Sequence, residues 1–455
     1  MHSRTIERPS LTLLASSLGF VLVILDVTVV NVALERIQAS FATGVTALQW
    51  VVNAYTLTFA SLLLTAGALS DRLGAKSVFI AGFGLFVAAS LACGAAVSVT
   101  MLVTARIVQG IGAALCVPSS LSLLNASFPD AASRARAVAI WSSAGGLAIA
   151  AGPVVGGILV DRLGWPSIFF LNLPVGLLGI WLTVAYAPAS SRSLGRKLDL
   201  SGQITATFAL AALTVAIVEG GSFGWTHPLI VFGFVAFVVL AIVFLVIESR
   251  TDEPMLPLVL FRAVPVSVSC LVGLLVNFSF YGLMFVLSLY FQSAKAYSPT
   301  ETGLAFLPMT ALITVTNLVA GWLTARFGPK LPLAIGQAIA ACGYFALTLV
   351  DPATPYSVIV GPLLAAGIGS ALTVPAMTTV VLANTEKKYA GVASGALNAA
   401  RQLGAVIGVG VFGSLVTGEA SRLSSGIHMS LILAGIAILG GCLLCLLSAR
   451  FASAE

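Results

Sequence analysis

Two residues of opposite charge stand where charge is expensive. Asp26 lies in an apolar run that begins near Leu11, within Leu25-Asp26-Val27-Thr28-Val29-Val30-Asn31-Val32-Ala33-Leu34. Arg106 lies in a second run, within Leu102-Val103-Thr104-Ala105-Arg106-Ile107-Val108-Gln109-Gly110. An ionised side chain at the centre of a membrane-crossing helix costs on the order of 2.5–3.5 kcal/mol, so it faces a protein interior or a wet cavity and marks function by default. A carboxylate so placed binds a proton or an arginine, and nearby charge decides which. Counted from the outer ends of their runs, Asp26 and Arg106 stand at depths of roughly 12 and 9 Å, at about 1.5 Å per residue. They are close enough in depth to meet. Asp26, Arg106 and Gln109 form the candidate proton-coupling set.

A third charge, Arg401, lies roughly 15 Å into its run, with Asn398 and Gln402 within one helical turn. Such a cluster lines a cavity or ties helices together. The run 264–290 adds Asn277, Phe280, Tyr281, Met284, Phe285 and Tyr290. Aromatic and methionine surfaces adapt to varied apolar ligands. The candidate substrate contacts are Asn31, Asn53, Tyr55, Asn277, Phe280, Tyr281, Phe285, Asn398, Arg401 and Gln402. One acid against two arginines leans positive, which predicts neutral, anionic or singly cationic amphiphiles rather than dications.

Helices crossing a bilayer must position these groups. The chain has 455 residues, 59% hydrophobic and 8% charged, where soluble domains carry about 25% charged residues. Fourteen apolar spans follow one another, near 11–34, 46–70, 77–97, 100–124, 136–160, 167–187, 200–219, 228–248, 264–290, 302–325, 331–350, 356–383, 391–417 and 429–449. About 20 apolar residues suffice to cross, and such long runs exclude an outer-membrane barrel. The first run is too long for a cleavable leader and ends in no small-residue cleavage site. With the N-terminus inside, sixteen Lys and Arg fall on inner connections, four fall outside (Arg36, Arg162, Lys295, Arg422) and two lie within spans. The positive-inside rule then sets both termini in the cytoplasm. The formal charge of +6 is thus a topology signal and not a nucleic-acid footprint.

The chain repeats itself. Gly110-Ile-Gly-Ala-Ala-Leu-Cys-Val-Pro118 recurs as Gly367-Ile-Gly-Ser-Ala-Leu-Thr-Val-Pro375, and Gly67-Ala-Leu-Ser-Asp-Arg-Leu-Gly74 as Gly321-Trp-Leu-Thr-Ala-Arg-Phe-Gly328. Two parallel halves with a site between them are a transporter architecture. The expected division is 1–190, a first six-helix half; 191–262, two inserted helices with their loops; and 263–455, a second six-helix half. Gly67, Asp71, Arg72 and Gly74 form a tight inner turn in which Asp71 can complement a neighbouring helix N-terminus, a candidate cytoplasmic gate. Gly152, Pro153, Gly156 and Gly157 supply a bend and a close-packing surface.

Other chemistry is weakly represented. Cys442 and Cys445 form a C-x-x-C without a histidine partner and read as small apolar residues. Gly408 to Gly413 spells G-x-G-x-x-G inside an apolar span with no preceding strand, which is no nucleotide site. There is no Walker A sequence, no catalytic constellation and no metal spacing. The protein is read as no enzyme, with no metal or cofactor except the proton as coupling ion.

Taken together, the motifs resemble the major facilitator superfamily, and more closely its fourteen-span drug/proton antiporter branch. The resemblance rests on Leu25 to Leu34 (first-span motif), Gly67 to Lys76 (loop motif), Arg106 to Gly112 (fourth-span motif, tied in the family to proton transfer), Gly152 to Gly157 (fifth-span antiporter motif) and Gly391 to Gly404 (thirteenth-span signature). It covers nearly the whole chain. It implies an all-α polytopic membrane protein of two six-helix halves plus two inserted helices. It further implies proton-coupled efflux of small amphiphilic molecules by alternating access, from a monomer in the inner (plasma) membrane. Departures are Glu35 for a usual proline, Ala148 for a usual glycine, and Trp165-Pro166-Ser167 for Trp-Arg-Trp; they leave the substrate open. The alternatives are a proton-coupled symporter on the same fold, since fold does not fix direction, and a non-transporting membrane sensor.

Overall fold

In hydrocarbon each backbone N–H and C=O must find a partner within its own segment, so the apolar runs become helices. The computed structural model describes residues 8–189, 199–386, 389–417 and 423–448. The predicted basic positions Arg4, Arg192, Arg196, Lys197, Lys387, Lys388, Arg422 and Arg450 lie outside them. The helices are α1 (Pro9–Phe41), α2 (Val45–Leu73), α3 (Ala75–Gly94), α4 (Val99–Ser127), α5 (Ala131–Leu163), α6 (Ser167–Phe170), α7 (Asn172–Tyr186), α8 (Leu200–Phe223), α9 (Pro228–Arg250), α10 (Val264–Leu289), α11 (Pro299–Phe327), α12 (Lys330–Leu347), α13 (Tyr356–Ala383), α14 (Ala390–Val416) and α15 (Leu423–Leu447). A π turn, Tyr290–Ala294, continues α10, and α6 with α7 makes one span, giving 14 helices long and apolar enough to cross a membrane. No strand occurs among the described residues.

The helices outrun the apolar segments. α1 continues past Leu34 through Glu35 and Arg36 to a left-handed residue, Ala42. Hydropathy marks the hydrocarbon crossing, whereas a helix ends where its backbone is capped. Side-chain caps start several of them. Ser98 accepts from Met101 N at 3.2 Å. Ser298 and Glu301 form a reciprocal capping box. Asp130 accepts from Ser133 N at 2.8 Å, and the Ser133 contacts hold its carboxyl below the usual range. Gly74 ends α2 with φ +92°, and its repeat mate Gly328 ends α11 with φ +76°; side chains with a Cβ rarely adopt this backbone.

Helices α1 to α7 pack into one bundle and α10 to α15 into another. The repeated glycines have a structural cause. Gly112 lies against the backbone of Gly82 and Phe86 where α4 crosses α3, and Gly369 lies the same way against Gly336 and Ala340 where α13 crosses α12. The bundles meet along two main seams, α5 with α11 and α2 with α14, and α8 rests on the second. Of the most apolar stretch of α9 only 11% is buried, against 67% for α10, so α9 forms the rim and α10 the core.

The seams are tight on the face opposite the termini. Gly157 lies against the Pro299 carbonyl and Gly303 against the Pro153 carbonyl. Asp161 accepts from Thr300 N at 2.9 Å, and Gln49 donates to Gly410 O at 2.7 Å. Ser288 Oγ donates to Asn31 O. Pro153 sits inside α5, and the motif's glycines let α5 touch two neighbours at once.

Candidate functional site

Asp26 and Arg106 meet, as their depths predict. Arg106 Nη1 donates to Asp26 Oδ2 as a salt bridge between side chains that are 0% and 1% exposed. The pair is fully enclosed, and several further polar contacts hold it. Arg106 Nε donates to Val51 O at 3.0 Å, and Nη1 also reaches Gln109 Oε1 at 2.7 Å. The guanidinium stands 4.2 Å from the centre of the Tyr55 ring, a cation–π distance. Gln109, one turn on from Arg106, donates from Nε2 to Asp26 Oδ1 at 2.8 Å.

Two partners were not anticipated. Asn172 Nδ2 donates to Asp26 Oδ1 at 3.3 Å and to Ser90 Oγ at 2.8 Å. Ser90 Oγ in turn donates to Phe169 O at 2.9 Å. Both side chains are fully buried. Their one signal in sequence is a polar residue alone in an apolar span, the same signal that singles out Asp26.

The network joins α1, α2, α3, α4, α6 and α7, so it lies inside the first bundle rather than in the space between bundles. The expectation of a site between the halves is corrected for Asp26 in this sense. The physical reason is that both buried charges belong to one bundle and neutralise each other there. α1 nevertheless links the network to the seam. Two residues beyond Asp26, the Thr28 hydroxyl packs on Gly152 of α5, and Val29 and Val32 pack on Gly156; Gly157, on the same helix, packs on α11.

The candidate substrate contacts lie in several different surroundings. Tyr55 belongs to the ion-pair site, and its hydroxyl donates to Val23 O at 3.2 Å. Phe285 is fully buried in the core. Asn53 is buried with neither amide atom partnered, and the Asn31 Oδ1 is likewise unpaired. Asn277 is buried, while Phe280 and Tyr281 are half-buried and meet edge to face at 5.5 Å. Asn398 is exposed, and Arg401 and Gln402 are half-buried. At the proposed gate Asp71 and Arg72 are exposed at the end of α2. Cys442 and Cys445 are buried free thiols; Cys445 Sγ accepts from Gln337 Nε2 at 3.4 Å. No cluster of three metal-ligating side chains occurs among the described residues.

Comparison with known proteins agrees with this architecture. The family model described as Major Facilitator Superfamily matches residues 16–409. A methylenomycin A resistance protein of Streptomyces coelicolor is 40% identical over 94% of this chain and 90% of its own. A tetracenomycin C resistance and export protein of Streptomyces glaucescens is 35% identical over 90% of this chain and 76% of its own. The drug efflux pump JefA of Mycobacterium tuberculosis is 36% identical over 90% and 80%. Among solved structures, an inward-facing bacterial homologue of the human lysosomal transporter Spinster superposes with TM-score 0.70 at 18% identity, covering 97% of both chains. The xylose transporter XylE of E. coli superposes with TM-score 0.66 at 14% identity, covering 97% of this chain and 99% of its own. At these identities the likeness speaks for the fold.

Proposed function

The chain belongs to the Major Facilitator Superfamily, a family of membrane transporters, and from that premise we propose that it exports small amphiphilic molecules in exchange for protons. Three relatives named for drug or antibiotic resistance and export support efflux. The observation that carries proton coupling is the enclosed Asp26–Arg106 pair with its amide partners. A proton and the guanidinium compete for one carboxylate. Any motion of α1 relative to α4 changes the contact, and so changes proton affinity.

The energies are commensurate. A tenfold change in proton affinity is about 1.4 kcal/mol. One charge moving through 100 mV gains about 2.3 kcal/mol. A partial separation of the pair is therefore enough for the membrane to drive the cycle. Substrate entering between the bundles shifts α5 against α11; α5 bears on α1 through Gly152 and Gly156; and Asp26 exchanges its proton for Arg106. The sixteen basic residues on inner connections support cytoplasmic termini, with the tight seam on the outside and the chain in the plasma membrane.

The test is flux in liposomes holding a pH-sensitive dye, with a panel of amphiphiles of charge −1, 0, +1 and +2. Proton movement opposite to the compound supports the reading. Co-directional movement overturns it in favour of symport, and binding without flux of any compound overturns transport itself.

A further inference from the structure

Apart from their end turns, α10 to α15 contain one Asp, Glu, Lys or Arg side chain, which is Arg401. Among the described residues it has no carboxylate partner. Its Nε is shielded and without a hydrogen-bond partner. Its Nη1 reaches Asn398 Oδ1 only at 3.3 Å. The stem packs against Gly273, beside which Leu397 and Met377 also lie, and Tyr281 is a titratable side chain near enough to interact electrostatically with the head.

Contrast Arg106, whose charge is cancelled by Asp26 and whose Nε and Nη1 both have hydrogen-bond partners. A guanidinium stays charged in any protein setting. Held this deep without a counter-charge, it is an electrostatic demand that the chain itself leaves unmet. The surrounding face of α14 is turned toward the other bundle. Gly395, on the same helix, meets Leu64 of α2; Asn398, one turn further on, is exposed. A structural arginine would be expected to have its donors filled; here Nε is empty and Nη1 holds one 3.3 Å contact.

We infer that Arg401 anchors an acidic oxyanion, such as a carboxylate, on the transported molecule, with the Asn398 amide and the Tyr281 hydroxyl as flanking polar contacts. The inference rests on the transport reading and narrows its substrate to amphiphiles carrying one anionic group. Both faces of the mechanism then have separate carriers: Asp26 in the first bundle for the proton, Arg401 in the second for the substrate.

The experiment measures binding to the purified full-length protein by calorimetry. The probes are aromatic carboxylates, beginning with 1-naphthylacetate, each paired with its neutral primary amide. Wild type is expected to bind the carboxylate on the order of tenfold more tightly than the amide, as charge-assisted bidentate contacts provide. Folded Arg401→Gln loses the preference and Arg401→Lys keeps part of it. The wild-type comparison stands even where a variant fails to fold. Equal binding of acid and amide, no carboxylate binding across the panel, or an unchanged preference in folded Arg401→Gln overturns the inference. Proton-opposed flux of amides and acids at equal rates sinks this inference and leaves efflux standing. Arg401-dependent carboxylate binding without proton-opposed flux does the reverse.

Discussion

Replacing Asp26 by Asn keeps the side-chain volume and removes the charge. Three donors converge on the native carboxylate, from Arg106, from Gln109 at 2.8 Å and from Asn172 at 3.3 Å. In the variant one oxygen still accepts from the two amides, but an NH2 turns toward Arg106. The guanidinium loses its counter-charge and keeps Gln109 Oε1 at 2.7 Å, Val51 O at 3.0 Å and the Tyr55 ring at 4.2 Å. Removing one member of a buried pair costs about 3–5 kcal/mol. The contacts that persist set the expectation at the lower end, about 3 kcal/mol on the same scale. Asp26→Asn should therefore insert and purify with a lowered unfolding midpoint. In liposomes its substrate-driven proton flux should fall to the level of protein-free vesicles, while the compound still moves down its own gradient. The two readouts separate a broken fold from broken coupling. Proton flux surviving in a folded Asp26→Asn protein would refute the role assigned to this carboxylate.

Arg106→Lys keeps the charge but cannot serve Asp26, Val51 O and Gln109 together. Losing two hydrogen bonds at about 1 kcal/mol each should slow coupled flux by about thirtyfold at matched protein levels, with folding retained; an unchanged rate counts against the fork geometry. Gly157→Val places a branched side chain against the Pro299 carbonyl, an overpacking cost of about 1–3 kcal/mol. It should hold the α5–α11 seam apart, so that a cysteine introduced at the buried Thr310 reacts with an impermeant maleimide that spares it otherwise. Gly74→Ala should lower the unfolding midpoint, since φ is +92° and ψ 130° there and a residue with a Cβ in so sparsely populated a region costs about 1–3 kcal/mol; no shift in thermal unfolding would contradict that reading of the turn.

The sequence carried depth better than direction. Counting along each span placed Asp26 and Arg106 at one level, and the repeated glycines marked the α3–α4 and α12–α13 crossings. Rotation about each helix axis was not legible. Tyr55 looked like a cavity residue and instead lies beneath Arg106. Asn172 and Ser90 carry no charge to betray them, and only packing brings them to Asp26. Nor does hydropathy say which inserted helix meets the seam: α8 and α9 are both apolar, yet only α8 lies against α2 and α14. The position of the ion pair inside one bundle follows from mutual neutralisation, which single residues in a sequence cannot display.

The central claim is that substrate and proton exchange through Asp26. It is tested most directly by adding a saturating transported amphiphile, brought beforehand to the same pH, to purified protein in weakly buffered detergent with a pH indicator. The account predicts release of about one proton per protein molecule by binding linkage, absent in Asp26→Asn. Binding confirmed by tryptophan fluorescence with no proton released, or with proton uptake, would contradict it.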